Sequence, residues 1–213
     1  MLQNCYLDSL AGVNVSDLKA VVYGIPGSGS TYVWQLVAAV LHDGVVKTHS
    51  YLDVPKTVPV VITIRDMRAA LVSNHRMLFG DTPLPDHPEL VRRCCDYAKH
   101  CYLADVLTDD YTSHTLWYES FVEHPDIIFD AVEQTWGAVT NSQERDRLRT
   151  KFSFRANRER SAIVTGDYDR ETLLHRNHLH SGTNASCREY AGEYIWADLT
   201  HLLRRQLSQH SYA

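Results

Sequence analysis

Between Leu18 and Gly24 the chain reads LKAVVYG, a short apolar run rich in β-branched residues that stops at glycine, and this predicts a buried strand. The loop Ile25-Pro26-Gly27-Ser28-Gly29 follows. From Ser30 to Leu41 the apolar side chains Val33, Leu36, Val37, Val40 and Leu41 recur at helical spacing, with Ser30 or Thr31 placed to cap the helix. Val45 to Thr48 predicts a second short strand, and Pro59 to Arg65 (PVVITIR) a third, apolar throughout and so central in a parallel sheet. Asp66 then caps a helix to about Leu78, and the proline-rich Asp81 to Pro88 is a loop. Glu89 to Thr108 reads as a long helix, His114 to Trp117 as a fourth strand, and Asp126 to Trp136 as a helix begun after Pro125. Beyond Asn141 the chain is charged and mostly helical; a polar loop from His175 to Ser186 precedes a terminal helix from about Arg188 to Leu207. Strands alternating with helices predict an α/β fold, a three-layer sandwich with a central parallel sheet that opens on a P-loop-like strand–loop–helix. No repeat, low-complexity tract or linker divides residues 1–213, which read as a single domain.

Composition narrows the function classes. With 44% hydrophobic and 22% charged residues, the chain can build a substantial core without disulfides or metal. A net charge of −5 supplies no global basic field for nucleic acid or anionic membrane, so an anion site has to be local. The five cysteines, Cys5, Cys94, Cys95, Cys101 and Cys187, are odd in number and lack paired ligand spacing, which predicts reduced thiols in a cytoplasmic chain. The N-terminus has no basic segment with an apolar stretch behind it, and no apolar run approaches the ~20 residues that span a bilayer.

Gly24 to Thr31 (GIPGSGST) has the outline of a phosphate-binding loop, except that Ser30 stands where a nucleoside-triphosphate enzyme has lysine. Glycines let backbone N–H groups turn around an anion, and the helix behind the loop adds its positive dipole end. The cradle is kept while the cation that reaches a γ-phosphate is absent.

Several segments, taken in chain order, resemble the sulfotransferase family that uses 3′-phosphoadenosine 5′-phosphosulfate (PAPS) and releases adenosine 3′,5′-bisphosphate (PAP). Pro26-Gly27-Ser28-Gly29-Ser30-Thr31-Tyr32 resembles the family's 5′-phosphosulfate loop, P-K-S-G-T-T-W. Lys47-Thr48-His49 resembles its K-T-H, and Ile64 to Ser73 (IRDMRAALVS) its 3′-phosphate segment. Trp117-Tyr118-Glu119-Ser120 with Pro125 is similar to Y-E-D-x…P, and Phe152-Ser153-Phe154 to the S-F segment near the adenine. The likeness runs from about Val21 to Phe154. Two positions depart from the pattern: Gly27 replaces the loop's lysine or arginine, and Arg176 to Gly182 shows no recognisable R-K-G.

The resemblance implies a PAPS-dependent sulfotransferase that moves a sulfuryl group to a hydroxyl or amine of a sugar, peptide or small-molecule acceptor, without a metal. His49 is then the base for the acceptor's proton, and Lys47 the cation near the oxygen that bridges phosphate and sulfate. Pro26, Gly27, Ser28, Gly29, Ser30 and Thr31 cradle the 5′ end, and Arg65 and Ser73 bind the 3′-phosphate. Tyr32, Tyr118 and Phe154 line the adenine. Two other readings stay open on the residues alone. One is a P-loop kinase or NTPase with Asp66 as a magnesium carboxylate, and the other a nucleotide-binding module without turnover, which the glycine at 27 favours. Asp66 is also an available ion-pair partner for Arg65.

Overall fold

The computed structural model describes residues 15–50, 54–166, 168–176 and 183–212. The described residues group into two compact units. One holds residues up to Gly24, Gly29–Ile64 and Leu103–Ser153; the other holds Ile25–Ser28, Arg65–Tyr102 and the chain from Phe154 onward.

The first unit is built on a four-stranded parallel sheet of β1 (Ala20–Gly24), β2 (Val45–Thr48), β3 (Val60–Ile64) and β4 (Ser113–Trp117), in the order β2-β1-β3-β4. The pattern of side chains explains that order. All five residues of β1 and of β3 are buried, as strands covered on both faces require. The edge strands β2 and β4 carry Lys47, Ser113 and His114 at half-buried positions, where exposed strand edges tolerate polar groups. Helix α1 (Ser30–Leu41) crosses from β1 to β2 and buries Val33, Leu36 and Val37 against Ile128, Phe129 and Val132 of α5 (Asp126–Trp136) and Leu148 of α6 (Ser142–Lys151). The short α4 (Tyr118–Glu123) adds Phe121 to this core.

Register brings the carboxyl ends of three strands level: Tyr23 pairs with Thr48 across β1 and β2, and Gly24 with Thr63 across β1 and β3. The chain leaves β1 for β2 on one side and places β3 on the other, so the loop after Gly24 starts at a topological switch point. Open α/β sheets bind ligands there.

The second unit contains α2 (Met67–Phe79), most of α3 (His87–Asp110), α7 (Phe154–Ala162), a two-residue antiparallel pair of β5 (Tyr168–Asp169) with β6 (Leu174–His175), α8 (Asn184–Leu202) and α9 (Arg204–Gln209). Asp66 caps α2 by accepting from the Arg68 N–H, and α2 packs on α8. Arg68 also bonds Thr200 of α8 at 3.1 Å and stacks over Trp196, while Arg76 lies over the Tyr190 ring.

The parallel sheet, its helices and the opening strand–loop–helix follow the expected α/β pattern. Asp126–Trp136 forms as predicted, whereas the terminal helix begins earlier, at Asn184, and breaks at Leu203 before α9. No described helix is long and apolar enough to cross a membrane.

Candidate functional site

The loop between β1 and α1 is turned by its glycines. Gly27 and Gly29 have φ of +83° and +80°, a region that favours glycine. Ile25-Pro26-Gly27-Ser28 closes as a turn with the Ser28 N–H donating to the Ile25 carbonyl at 2.9 Å. A positive-φ glycine in its third place is the requirement of type II geometry, and proline is common in its second. The cap of α1 departs from expectation: Gly29 occupies the N-cap position, and neither Ser30 nor Thr31 makes a capping bond. Both hydroxyl residues are buried instead. Consequently the N–H groups of Gly29, Ser30 and Thr31 make no hydrogen bond among the described residues, which leaves donors at a positive helix end for an anion.

Glycine is also required for space. A Cβ on Gly29 would lie 2.8 Å from Tyr118 Cδ2 and 2.9 Å from Phe121 Cζ, so the Tyr118 ring closes over the loop's backbone. In the second unit, a Cβ on Gly27 would lie 2.3 Å from the carbonyl oxygen of Ala70 on α2. The absent loop lysine thus has a local cause, because this backbone admits no side chain at 27.

Lys47 and His49 stand together where β2 ends. The Lys47 ammonium is 3.0 Å from His49 Nε2, and His49 Nδ1 is bonded to the carbonyl of Gly24, the last residue of β1. A carbonyl only accepts, so the ring's proton is assigned to Nδ1 and the Nε2 lone pair accepts from Lys47. That tautomer presents a base at Nε2. Desolvation lowers the half-buried Lys47 from the ordinary lysine value to about 8. A lowered lysine pKa penalises the folded state while the ammonium is charged, and stability rises with pH from about 8 to the unfolded value near 10.5. Lys47→Met is therefore expected to stabilise the protein at pH 7 by about 1–3 kcal/mol, allowing for partial solvent screening, with the gain gone by pH 10.5. Urea unfolding of both proteins at the two pH values measures this; a wild-type stability flat across the interval would contradict it.

Arg65 follows β3 directly and is buried. Its Nε donates to Asn184 Oδ1 at 2.9 Å, one terminal nitrogen to the Gly27 carbonyl at 3.1 Å, and the other approaches Cys187 Sγ at 3.7 Å. Burial pushes the Cys187 thiol up, which keeps it uncharged. Asp66 pairs with Arg68 at 2.6 Å while capping α2, so both its oxygens accept from Arg68. Ser73 is half-buried two turns along α2.

Tyr32 packs on Phe121 with ring centres 6.3 Å apart, and burial raises its phenol to about 12, with Arg149 lowering and Asp126 raising it. Tyr118 meets the same Phe121 edge-on at 5.4 Å. Phe154 opens α7 and is 42% exposed. Asn184, Cys187 and Tyr97, whose hydroxyl bonds the Pro26 carbonyl, are site neighbours that the sequence did not disclose. No motif marks them, since each reaches the loop or Arg65 only through tertiary packing. Of the segment compared with R-K-G, residues 177–182 lie outside the described residues, as does Cys5.

No protein-family model and no curated protein matches the sequence. Among solved structures, mouse sulfotransferase SULT7A1 in complex with PAP matches with a TM-score of 0.67 at 15% identity, covering 94% of this chain and 88% of its own. Retinol dehydratase in complex with androsterone and the inactive cofactor PAP matches with a TM-score of 0.65 at 16% identity, covering 88% of this chain and 80% of its own. Identities this low speak for architecture: the chain has the fold that these two solved structures share.

Proposed function

We propose that this protein is a cytoplasmic sulfotransferase that uses PAPS and sulfates a hydroxyl or amine on a sugar, peptide or small molecule. The observation that carries the reading is the Lys47–His49 pair anchored on the Gly24 carbonyl, at the residue from which the glycine loop departs. Two structural neighbours solved with PAP support the choice of nucleotide.

The residues present fit that nucleotide. N–H groups at Gly29, Ser30 and Thr31 that are unpaired among the described residues, in a cradle that a Cβ would fill, suit the 5′-phosphosulfate, with Pro26, Gly27 and Ser28 completing the loop. Arg65 and Ser73 are assigned to the 3′-phosphate, and Tyr118, Tyr32 and Phe154 to the adenine. When bound, PAPS supplies the sulfuryl group and a phosphate leaving group. His49 takes the acceptor's proton at Nε2 as the acceptor replaces Lys47 on that lone pair, with the required tautomer held by Gly24. Lys47 provides positive charge where negative charge develops on the leaving oxygen, a role that backbone donors share and that magnesium fills in kinases.

PAP is expected to raise the melting temperature far more than ATP with magnesium does, because a ligand that binds only the native state stabilises it by mass action. Differential scanning fluorimetry with both ligands decides this. Equal or greater stabilisation by ATP–magnesium would replace the sulfotransferase reading with a nucleoside-triphosphate one.

A further inference from the structure

The turn at Pro26-Gly27 is held by a side chain that the mechanism above does not use. Tyr97 on α3 is buried, and its hydroxyl donates to the Pro26 carbonyl at 2.9 Å and reaches the Ala70 carbonyl at 3.2 Å. The next carbonyl, that of Gly27, accepts from Arg65 at 3.1 Å.

A peptide unit is planar and trans, so its N–H points opposite to its C=O. Capture of the Pro26 carbonyl by Tyr97 therefore turns the Gly27 N–H away from Tyr97. That N–H makes no hydrogen bond among the described residues. Type I and type II turns differ chiefly by a flip of this central peptide, and a turn with glycine third can adopt either. The hydroxyl thus selects between two backbone states, only one of which presents the Gly27 N–H on the side away from α3.

We propose that Tyr97 is a positioning residue for the phosphate loop: its hydroxyl locks the Pro26–Gly27 peptide so that the Gly27 N–H faces the donor's 5′-phosphate. The idea rests on the nucleotide reading above and adds to it a determinant of 5′-end recognition.

Tyr97→Phe removes only the hydroxyl and keeps the buried ring. PAP and adenosine 5′-phosphate should bind roughly three- to tenfold more weakly to the variant, the usual worth of one hydrogen bond, while adenosine 3′-phosphate binds within about twofold of wild type. Calorimetric titration of the three nucleotides measures this, and the 3′-phosphate arm reports that the variant is folded. In amide NMR spectra the wild-type Gly27 N–H should move downfield on PAP addition, and that movement should shrink in the variant. Unchanged PAP affinity, or an equal loss for all three nucleotides, overturns the role of Tyr97 alone. A wild-type protein that binds none of the three overturns the nucleotide reading; titration with inorganic pyrophosphate then judges the loop, and a Gly27 amide that stays still overturns the positioning too. If Tyr97→Phe does not fold, a wild-type Gly27 amide unmoved by bound PAP is sufficient refutation.

Discussion

His49→Ala is expected to slow sulfuryl transfer by two to four powers of ten, the usual contribution of a positioned general base, while PAP affinity stays within about twofold of wild type. The separation follows from where the side chain is tied. His49 is bonded to Gly24 of β1 and to Lys47 of its own strand end, and its assigned work is on the acceptor's proton, not on the donor's phosphates. Transfer is read with sulfur-labelled PAPS and a responsive acceptor, and affinity by titration calorimetry. Unchanged turnover removes His49 from the mechanism, and a matching loss of PAP affinity makes it structural. The pH profile adds a second signature: kcat/KM reports groups of the free enzyme, so its falling limb should lie near pH 8, where Lys47 loses its charge.

Gly27→Lys, which would restore the family's loop cation on paper, is expected instead to destabilise the fold by about 3 kcal/mol or more. Two observations set this direction. The backbone at 27 is at φ +83°, where L side chains are strained, and the new Cβ would meet backbone atoms of Ala70 at 2.3 and 3.0 Å. Those atoms belong to α2 and cannot swing aside as a side-chain tip can. For a chain of this size such a loss corresponds to a melting-temperature drop of roughly 6–12 °C. Gly27→Ala should show a comparable drop without any change of charge, which separates the steric effect from an electrostatic one. Thermal unfolding and PAP titration of both variants provide the test; a lysine variant with wild-type melting temperature and tighter PAP binding would mean that the loop accepts a cation.

How much of this was legible before folding depends on sequence distance. The runs AVVYG and VVITI announce two central strands because burial on both faces leaves no polar position, and both strands form where the pattern puts them. Asp66 announces the start of α2 because a cap acts within its own turn. The cap of α1 was misplaced on Ser30 or Thr31: a hydroxyl beside a glycine is a weak signal when the glycine itself can take the left-handed cap position. The pairing of Asp66 with Arg68 was not legible, because nearness in sequence says nothing of side-chain direction.

By itself, then, the sequence determined a parallel α/β sheet, a glycine loop without a lysine, and a lysine and histidine at the end of β2. Each of these depends on local pattern and chain order, which the backbone's two periodicities and glycine's freedom make readable. Only the tertiary structure decided that His49 leans on Gly24, that Arg65 is held by Asn184 across 119 residues, and that Tyr97 seizes the Pro26 carbonyl across 71. Polar partners so far apart meet because apolar burial packs their elements together, and a buried donor or acceptor then takes whichever complement the packing brings within reach.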